Sequence, residues 1–543
     1  MPKGIDAATL KRWLHDGSEI ALLDVREHGQ YGEGHPFYAV PLPYSVLERD
    51  VGRLAPNRRV RVVVYDGGDG DDGPAARAAA RLETLGYASV HVLEGGTRAW
   101  QDAGFVLFKG VNVPSKAFGE LVEQVAHTPH ISAQTLLQWQ QSDTPPVVLD
   151  GRPLGEYRTM NIPGASCCPN GELAYRIDAF VPDAQTPIVI NCAGRTRSII
   201  GAQTLLDLGI RNPVYALENG TQGWFLADLP LERGQQRGYP ADLRPQPARV
   251  AAARALAERA GVKWVHADTV RDWTKADERT LYLCDVRTPE EFAANTLPGA
   301  QHAPGGQLQQ ATDQYIGVRN ARIVLFDDDG IRAPVTASWL RQLGHEAWVL
   351  EGGLHSGLAL ADTRIPEPAA LPLVDGDTLA QRLAAGGQSV VDLRTSAAWL
   401  AARIPGSVWS IRPRLAATLA QCEQAVTFVV DDPRIAAWAV SDLAGGEGHT
   451  FSVLDGGFAA WPAGGWRVET DADADADADA DAVADVLPPS ARIDYLFFAH
   501  DRHAGNKAAS REYLSWELGL LGQLDELERS AFRPLTRVVA ARE

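Results

Sequence analysis

Residues 191–200 read NCAGRTRSII, a cysteine followed by a small residue, a glycine, two arginines around a threonine, a serine and an apolar run. A thiol becomes a nucleophile as its thiolate, which positive charge and inward-pointing amides favour. The residues from Ala193 to Arg197 can curl so that their N–H groups form an anion-binding nest. Gly194 allows backbone angles that a side chain would forbid. Arg195 and Arg197 supply charge, and Thr196 and Ser198 complete the loop. The chemistry that fits is attack by Cys192 on an electrophile, with negative charge held by the loop. The remaining cysteines lack this setting. Cys284 lies inside the apolar run LYLCDVR and Cys422 in a polar helical stretch, and both read as inert. Cys167 and Cys168 follow a turn, where one could face a cleft.

Such a loop needs a strand to end at the thiol and a helix to begin after it. The run PIVINC supplies the strand, and SIIGAQTLLDLG supplies helical spacing with a glycine stop. The same paragraph is written four times. A short apolar strand ends in Asp-x-Arg at Asp24/Arg26, Asp150/Arg152, Asp285/Arg287 and Asp392/Arg394. A second strand follows as VRVVVYD, PIVINC, RIVLFD and VTFVVD, each running into a loop and a helical pattern. A third strand and a glycine turn close each copy, as in VHVLEGGTRAW and VYALENGTQGW. Strands alternating with helices imply α/β units, each a mainly parallel sheet flanked by helices.

Strand-Asp-x-Arg, the IPGA-type turn, a strand ending in Cys, a short loop into a helix and a closing glycine-tryptophan segment together resemble the rhodanese (sulfurtransferase) family. The resemblance covers about residues 5 to 468 and implies four tandem rhodanese-like domains plus a C-terminal helical tail. The expected boundaries are 1–112, 113–238, 239–369 and 370–469, then an Asp/Ala linker at 470–489 and a tail at 490–543. In the linker like charges at alternate residues repel and extend the chain. The tail lies outside the rhodanese unit, and its expected helix from Ala508 to Gln523 must pack on something.

By this alignment Asp66, Asp327 and Asp431 stand where the second copy has Cys192, so units 1, 3 and 4 are expected to be catalytically silent. A carboxylate cannot accept a sulfane sulfur. The acidic first and third loops could hold a metal, but acidic residues at helix N-termini more simply complement the dipole, and no metal or cofactor is expected. The Asp150/Arg152 pair recurs in every copy, which argues that it locks the loop framing the active face. Glu172 and Arg176 of NGELAYRI could form a wall of the pocket, although an exposed helix face would read the same.

The bulk numbers agree with a multidomain soluble enzyme. The chain has 543 residues, 45% apolar and 22% charged, which suggests roughly three to five domains. A formal charge of −18 argues against nucleic-acid or anionic-membrane partners. The first residues show no secretory pattern, and no run reaches the ~18 apolar residues of a membrane span. Five cysteines in no ligand spacing point to free thiols and a cytoplasmic location. The resemblance implies a sulfurtransferase working by double displacement. Cys192 takes sulfane sulfur from thiosulfate or another anionic donor and passes it to cyanide or a thiol, small or on a protein. Two alternatives stand beside it. One is an array of mostly silent units that presents a persulfide or scaffolds a partner. The other is a cysteine-dependent phosphatase or arsenate-type enzyme, disfavoured because Cys192 to Arg197 is Cys-x4-Arg, one residue shorter than the phosphatase loop.

Overall fold

The computed structural model describes residues 3–70, 72–240, 243–276, 278–361, 365, 367–443, 448–470, 487–500 and 506–536. The Asp/Ala stretch from 471 to 486 lies outside the described residues. Among them are four five-stranded parallel sheets of identical topology. In each, the unit's first strand sits at one edge beside the fifth, followed by the fourth, second and third. All-parallel pairing requires crossovers through helices, and helices on both faces leave the central strands buried and apolar. The second sheet shows this. Val148 and Val189 point into one core with Leu136, Tyr157 and Trp224. Their neighbours Leu149, Ile188 and Ile190 point into the other with Leu173 and Leu205.

The Asp-x-Arg motif has one geometry throughout. In the second unit Arg152 N donates to Asp150 Oδ1 at 3.0 Å, and Arg152 Nε to the same oxygen at 2.9 Å. The guanidinium then reaches the Met160 carbonyl at 2.6 Å. Its counterparts Arg26, Arg287 and Arg394 reach the carbonyls of Gly34, Asn295 and Ala402. Buried charge is tolerated here because the guanidinium forks onto both carboxylate oxygens and a backbone carbonyl.

The four units are not beads on a string. One hydrophobic core runs through the first three and the tail, including Leu54, Phe118, Ile199, Trp339, Leu520 and Phe532. Units 2 and 3 meet where the helices Asn170–Arg176 and Gly305–Gln310 cross backbone to backbone. A Cβ at Gly171 would lie 2.6 Å from the Gly306 nitrogen. Units 1 and 3 join through Gly317 N to Leu54 O at 3.0 Å and Arg319 N to Ile20 O at 2.9 Å. Units 1 and 4 join through Arg412, which forks onto Glu48 and Asp442. The tail helix Lys507–Gln523 lies on the helix Val113–Ala126, with Lys116 paired to Glu517 at 2.7 Å. No helix among the described residues is long and apolar enough to cross a membrane.

The cysteine loop and its chamber

The strand Ile188–Asn191 ends one residue before Cys192, and the helix Thr196–Asp207 begins four residues after it. The expected strand-loop-helix is therefore present, with the thiol at the sheet's C-terminal edge. Two features fix the loop. Thr221 N donates to Cys192 O at 2.8 Å and Gln222 N to Ala193 O at 3.0 Å, both from the start of the helix Gly220–Leu226. Gly220 has φ +52°, and a Cβ there would meet Cys192 O at 2.2 Å, so the closing glycine is required by close approach.

The Cys192 sulfur accepts a hydrogen bond from Ser198 Oγ at 3.2 Å. Among the described residues, no carbonyl or carboxylate accepts from the amides of Ala193 to Arg197. In the first and third units the equivalent amides are taken. Asp66 accepts from Gly68 N at 2.8 Å and Ala75 N at 3.0 Å. Asp327 accepts from Gly330 N at 3.0 Å and Ala333 N at 2.7 Å. Each of these side chains supplies the acceptor oxygens that fill its own nest. Burial and the neighbouring Asp329 push the Asp327 carboxyl above the ordinary aspartate range.

The fourth unit departs from expectation. Asp150 pairs in register with Asn191, and Asp392 with Val429. The residue in the cysteine's place is therefore Val430, not Asp431. Val430 is buried at 2% exposure, whereas Asp431 is exposed. The loop is one residue shorter, with the helix Pro433–Ser441 starting three residues after Val430. The apolar run VTFVV continues through the cysteine's position, so the sequence pattern alone points to Asp431, the first polar residue after it.

The loop arginines are divided between two walls. Arg195 Nε and Nη2 fork onto Glu120 at 2.8 and 3.0 Å, and Nη2 also meets Glu123. Its charge is thus neutralised within the helix Val113–Ala126, contrary to the expectation that both arginines act on the sulfur. Arg197 makes a bidentate pair with Glu156, both bonds 2.8 Å. Burial opposes the Arg197 charge, but Glu156, the Cys192 sulfur and Asp150 outweigh it and hold its pKa above the ordinary arginine value.

Cys192 is 2% exposed and opens into a chamber of about 450 Å³. Ala193 to Arg197 and Arg152 line one side. The rest of the lining comes from elsewhere: Asn112 and Lys116 from the approach to unit 2, Gln307, Gln310 and Gln314 from unit 3, and His500, Tyr513 and Glu517 from the tail. Sequence reasoning missed all of these, because no local motif marks a residue that meets the loop from 80 to 320 positions away. Glu517 is the clearest case. It is 1% exposed and accepts from Thr196 Oγ1 at 3.3 Å. A Cβ at Gly194 would lie 2.7 Å from its Oε2. A larger hollow of about 810 Å³ between units 1 and 3 shares no residue with this chamber and contains no cysteine.

Glu172 and Arg176 do not line the chamber. Arg176 Nε donates to Glu172 Oε2 at 2.6 Å, and Arg332 of unit 3 reaches Glu172 Oε1 at 3.1 Å. They belong to the joint between units 2 and 3, which is why they are buried and charged without facing the thiol. The other cysteines are unsuited to nucleophilic work. Burial pushes Cys167 and Cys284 up to about 12, Cys168 well above the ordinary thiol value, and Cys422 upward. Neither Cys167 nor Cys168 faces the chamber.

Comparison with known proteins adds three findings. A family model described as the rhodanese-like domain matches residues 6–103, 132–227, 266–359 and 375–463. The crystal structure of thiosulfate sulfurtransferase from Pseudomonas aeruginosa is similar over 98% of this chain and 99% of that one, with 39% identity and a TM-score of 0.88. The putative thiosulfate sulfurtransferase SseB of Mycobacterium tuberculosis is 33% identical over 127 residues, 18% of this chain and 44% of that protein. The chain thus matches under half the length of that curated relative.

Proposed function

The chain belongs to the rhodanese-like family, and from that premise we propose that it is a sulfurtransferase working through a persulfide on Cys192. In the first half-reaction the Cys192 thiolate attacks the sulfane sulfur of thiosulfate. The sulfur–sulfur bond of thiosulfate breaks, its electron pair leaves with sulfite, and Cys192 carries a persulfide anion. In the second half-reaction an acceptor nucleophile, cyanide or a thiolate, attacks the outer sulfur, and the electron pair returns to Cys192. Atoms and charge balance in both steps with no external oxidant or reductant.

One observation carries this reading: the loop after Cys192 keeps its amides unpaired with protein acceptors among the described residues, while Asp66 and Asp327 consume theirs. Those amides, with Arg197 beside them, suit the terminal sulfur of a persulfide or the oxygens of an anionic donor. Arg152, held by Asp150, lines the same face. Units 1, 3 and 4 are silent in transfer, the first two because a carboxylate fills the nest and the fourth because Val430 has no nucleophile. The five free thiols suit a reducing compartment such as the cytoplasm.

Cys192→Ser tests the assignment. A hydroxyl is nearly isosteric but forms no persulfide, so thiosulfate:cyanide transfer should fall to background with the fold intact by circular dichroism. Retention of about a tenth or more of wild-type turnover would rule out covalent catalysis at this residue.

A further inference from the structure

Two helices that lie outside every matched rhodanese-like segment grip the loop after Cys192. They are Val113–Ala126, between the first two segments, and Lys507–Gln523, in the tail. The first holds Arg195 through Glu120 and Glu123. Its Gly119 lets Thr196 come close, since a Cβ on Gly119 would lie 3.2 Å from Thr196 Cα. The tail helix reaches the loop through Glu517, whose Oε1 accepts from Thr196 Oγ1 at 3.3 Å and from Lys116 Nζ at 2.7 Å. Glu517 Oε2 stands against Gly194, 2.7 Å from where a Cβ would be. Both partners are buried, and the rings of Tyr513 and Trp516 cover the Lys116 ammonium at 4.9 and 5.5 Å. A lone carboxylate beside Gly194 would repel a thiolate or an anionic donor. Lys116 offsets that charge, which leaves Glu517 as an acceptor of fixed position.

We infer that Glu517 is a positioning residue for the Cys192 loop, acting through Thr196 at the start of the helix Thr196–Asp207, so that the tail is part of the transfer site. This deepens the sulfurtransferase reading and rests on it. Thr221 N and Gln222 N hold the carbonyls of Cys192 and Ala193, Glu120 holds the Arg195 side chain, and Glu517 holds the Thr196 hydroxyl. Each of these grips falls on a carbonyl or a side chain, which leaves the loop N–H groups aligned for an anion. Donors fixed in advance stabilise negative charge without reorganising as it develops. Removing the Glu517 acceptor loosens that alignment without touching the thiol.

Two double variants of the full chain isolate the acceptor. Lys116→Met/Glu517→Gln and Lys116→Met/Glu517→Leu both remove the buried charge pair, but only glutamine keeps an oxygen for Thr196. Thr196→Val cuts the same bond and leaves the tail unchanged. The readouts are kcat and KM for thiosulfate:cyanide transfer, and the rate of Cys192 alkylation by iodoacetate relative to iodoacetamide. The thiolate fraction cancels from that ratio, so it reports how well the loop receives an anion, and it needs no sulfur uptake. The leucine variant should lower the ratio about fivefold against the glutamine variant, and Thr196→Val about fivefold against wild type. Transfer kcat/KM should fall about tenfold in the same two comparisons. Combining Thr196→Val with the leucine variant should add nothing, because both remove one bond. An alkylation ratio unchanged in Thr196→Val, or equal in the two double variants, would overturn the inference even if denaturant stability fell. If neither double variant folds, Thr196→Val decides. No sulfur uptake by the wild type would overturn the sulfurtransferase reading, while the alkylation ratios would still judge the role of Glu517.

Discussion

At the scale of single residues, what separates the active unit from its silent copies is which group satisfies the loop amides. Asp66 and Asp327 bring a fixed carboxylate, so their loops are complete without a ligand. Cys192 brings a thiol that accepts only from Ser198 among the described residues, so its loop is completed by substrate or by persulfide. Another buried carboxylate gives a prediction of its own. Asp313 of unit 3 accepts from Tyr31 of unit 1 at 3.3 Å, and burial pushes it up to about 6 despite the tyrosine and the neighbouring backbone amides. A folded-state pKa above the ordinary aspartate value means the native protein holds more protons than the unfolded chain. Its stabilisation is then full below pH ~4 and lost as pH rises towards 6. Asp313→Asn should remove that decline and raise stability at pH 7 to 8 by at most about 3 kcal/mol. Denaturant midpoints measured between pH 4 and 8 would show it, and an unchanged pH slope would refute it.

At the scale of elements, crossing helices decide whether the chamber is whole. The helix Gly305–Gln310 carries Gln310 into the lining of the chamber across a joint where Gly171 and Gly306 let the two backbones touch. Gly171→Ala would force a Cβ to within 2.6 Å of the Gly306 nitrogen. It should destabilise the chain by about 1–3 kcal/mol and weaken thiol acceptors as the wall withdraws. Gly155→Ala in the same unit is the control, since a Cβ there meets nothing within 4 Å. Equal denaturant midpoints for the two variants would show that this contact does not hold the wall. The same scale explains what was legible in the sequence. Cys192, its loop and the Asp-x-Arg pairs are contiguous strings whose local chemistry is complete, and the strand-helix alternation is periodic. The fourth loop misled because the apolar run VTFVV continues through the cysteine's position, so Asp431, the first polar residue after it, stood in for Val430. Glu172 and Arg176 misled because a buried ion pair at a domain joint has the same residue types as a pocket wall. Glu517 and Gln310 were invisible because their meeting with the loop is made by packing of whole units.

At the scale of the whole molecule, unit 2, unit 3 and the tail build one reaction chamber. Unit 2 supplies the nucleophile, unit 3 a wall through Gln307, Gln310 and Gln314, and the tail another through Tyr513 and Glu517. Unit 1 joins unit 3 at Leu54 and Ile20, within the core that units 1 to 3 share with the tail, and it holds unit 4 through Glu48, while unit 4 keeps cores of its own. A net charge of −18 sets the background against which an anionic donor must be drawn in, so local cations at Arg197 and Arg152 matter more than the global field. The account's central claim is that this assembly holds one transferable sulfur, at one residue. Intact mass spectrometry of the full chain after thiosulfate, with peptide mapping and a second spectrum after cyanide, measures that directly. The account predicts a gain of one sulfur atom per chain, located on the Cys192 peptide, removed by cyanide and absent from Cys192→Ser. A cyanide-labile sulfur on any other cysteine, or no gain with excess donor, would contradict it.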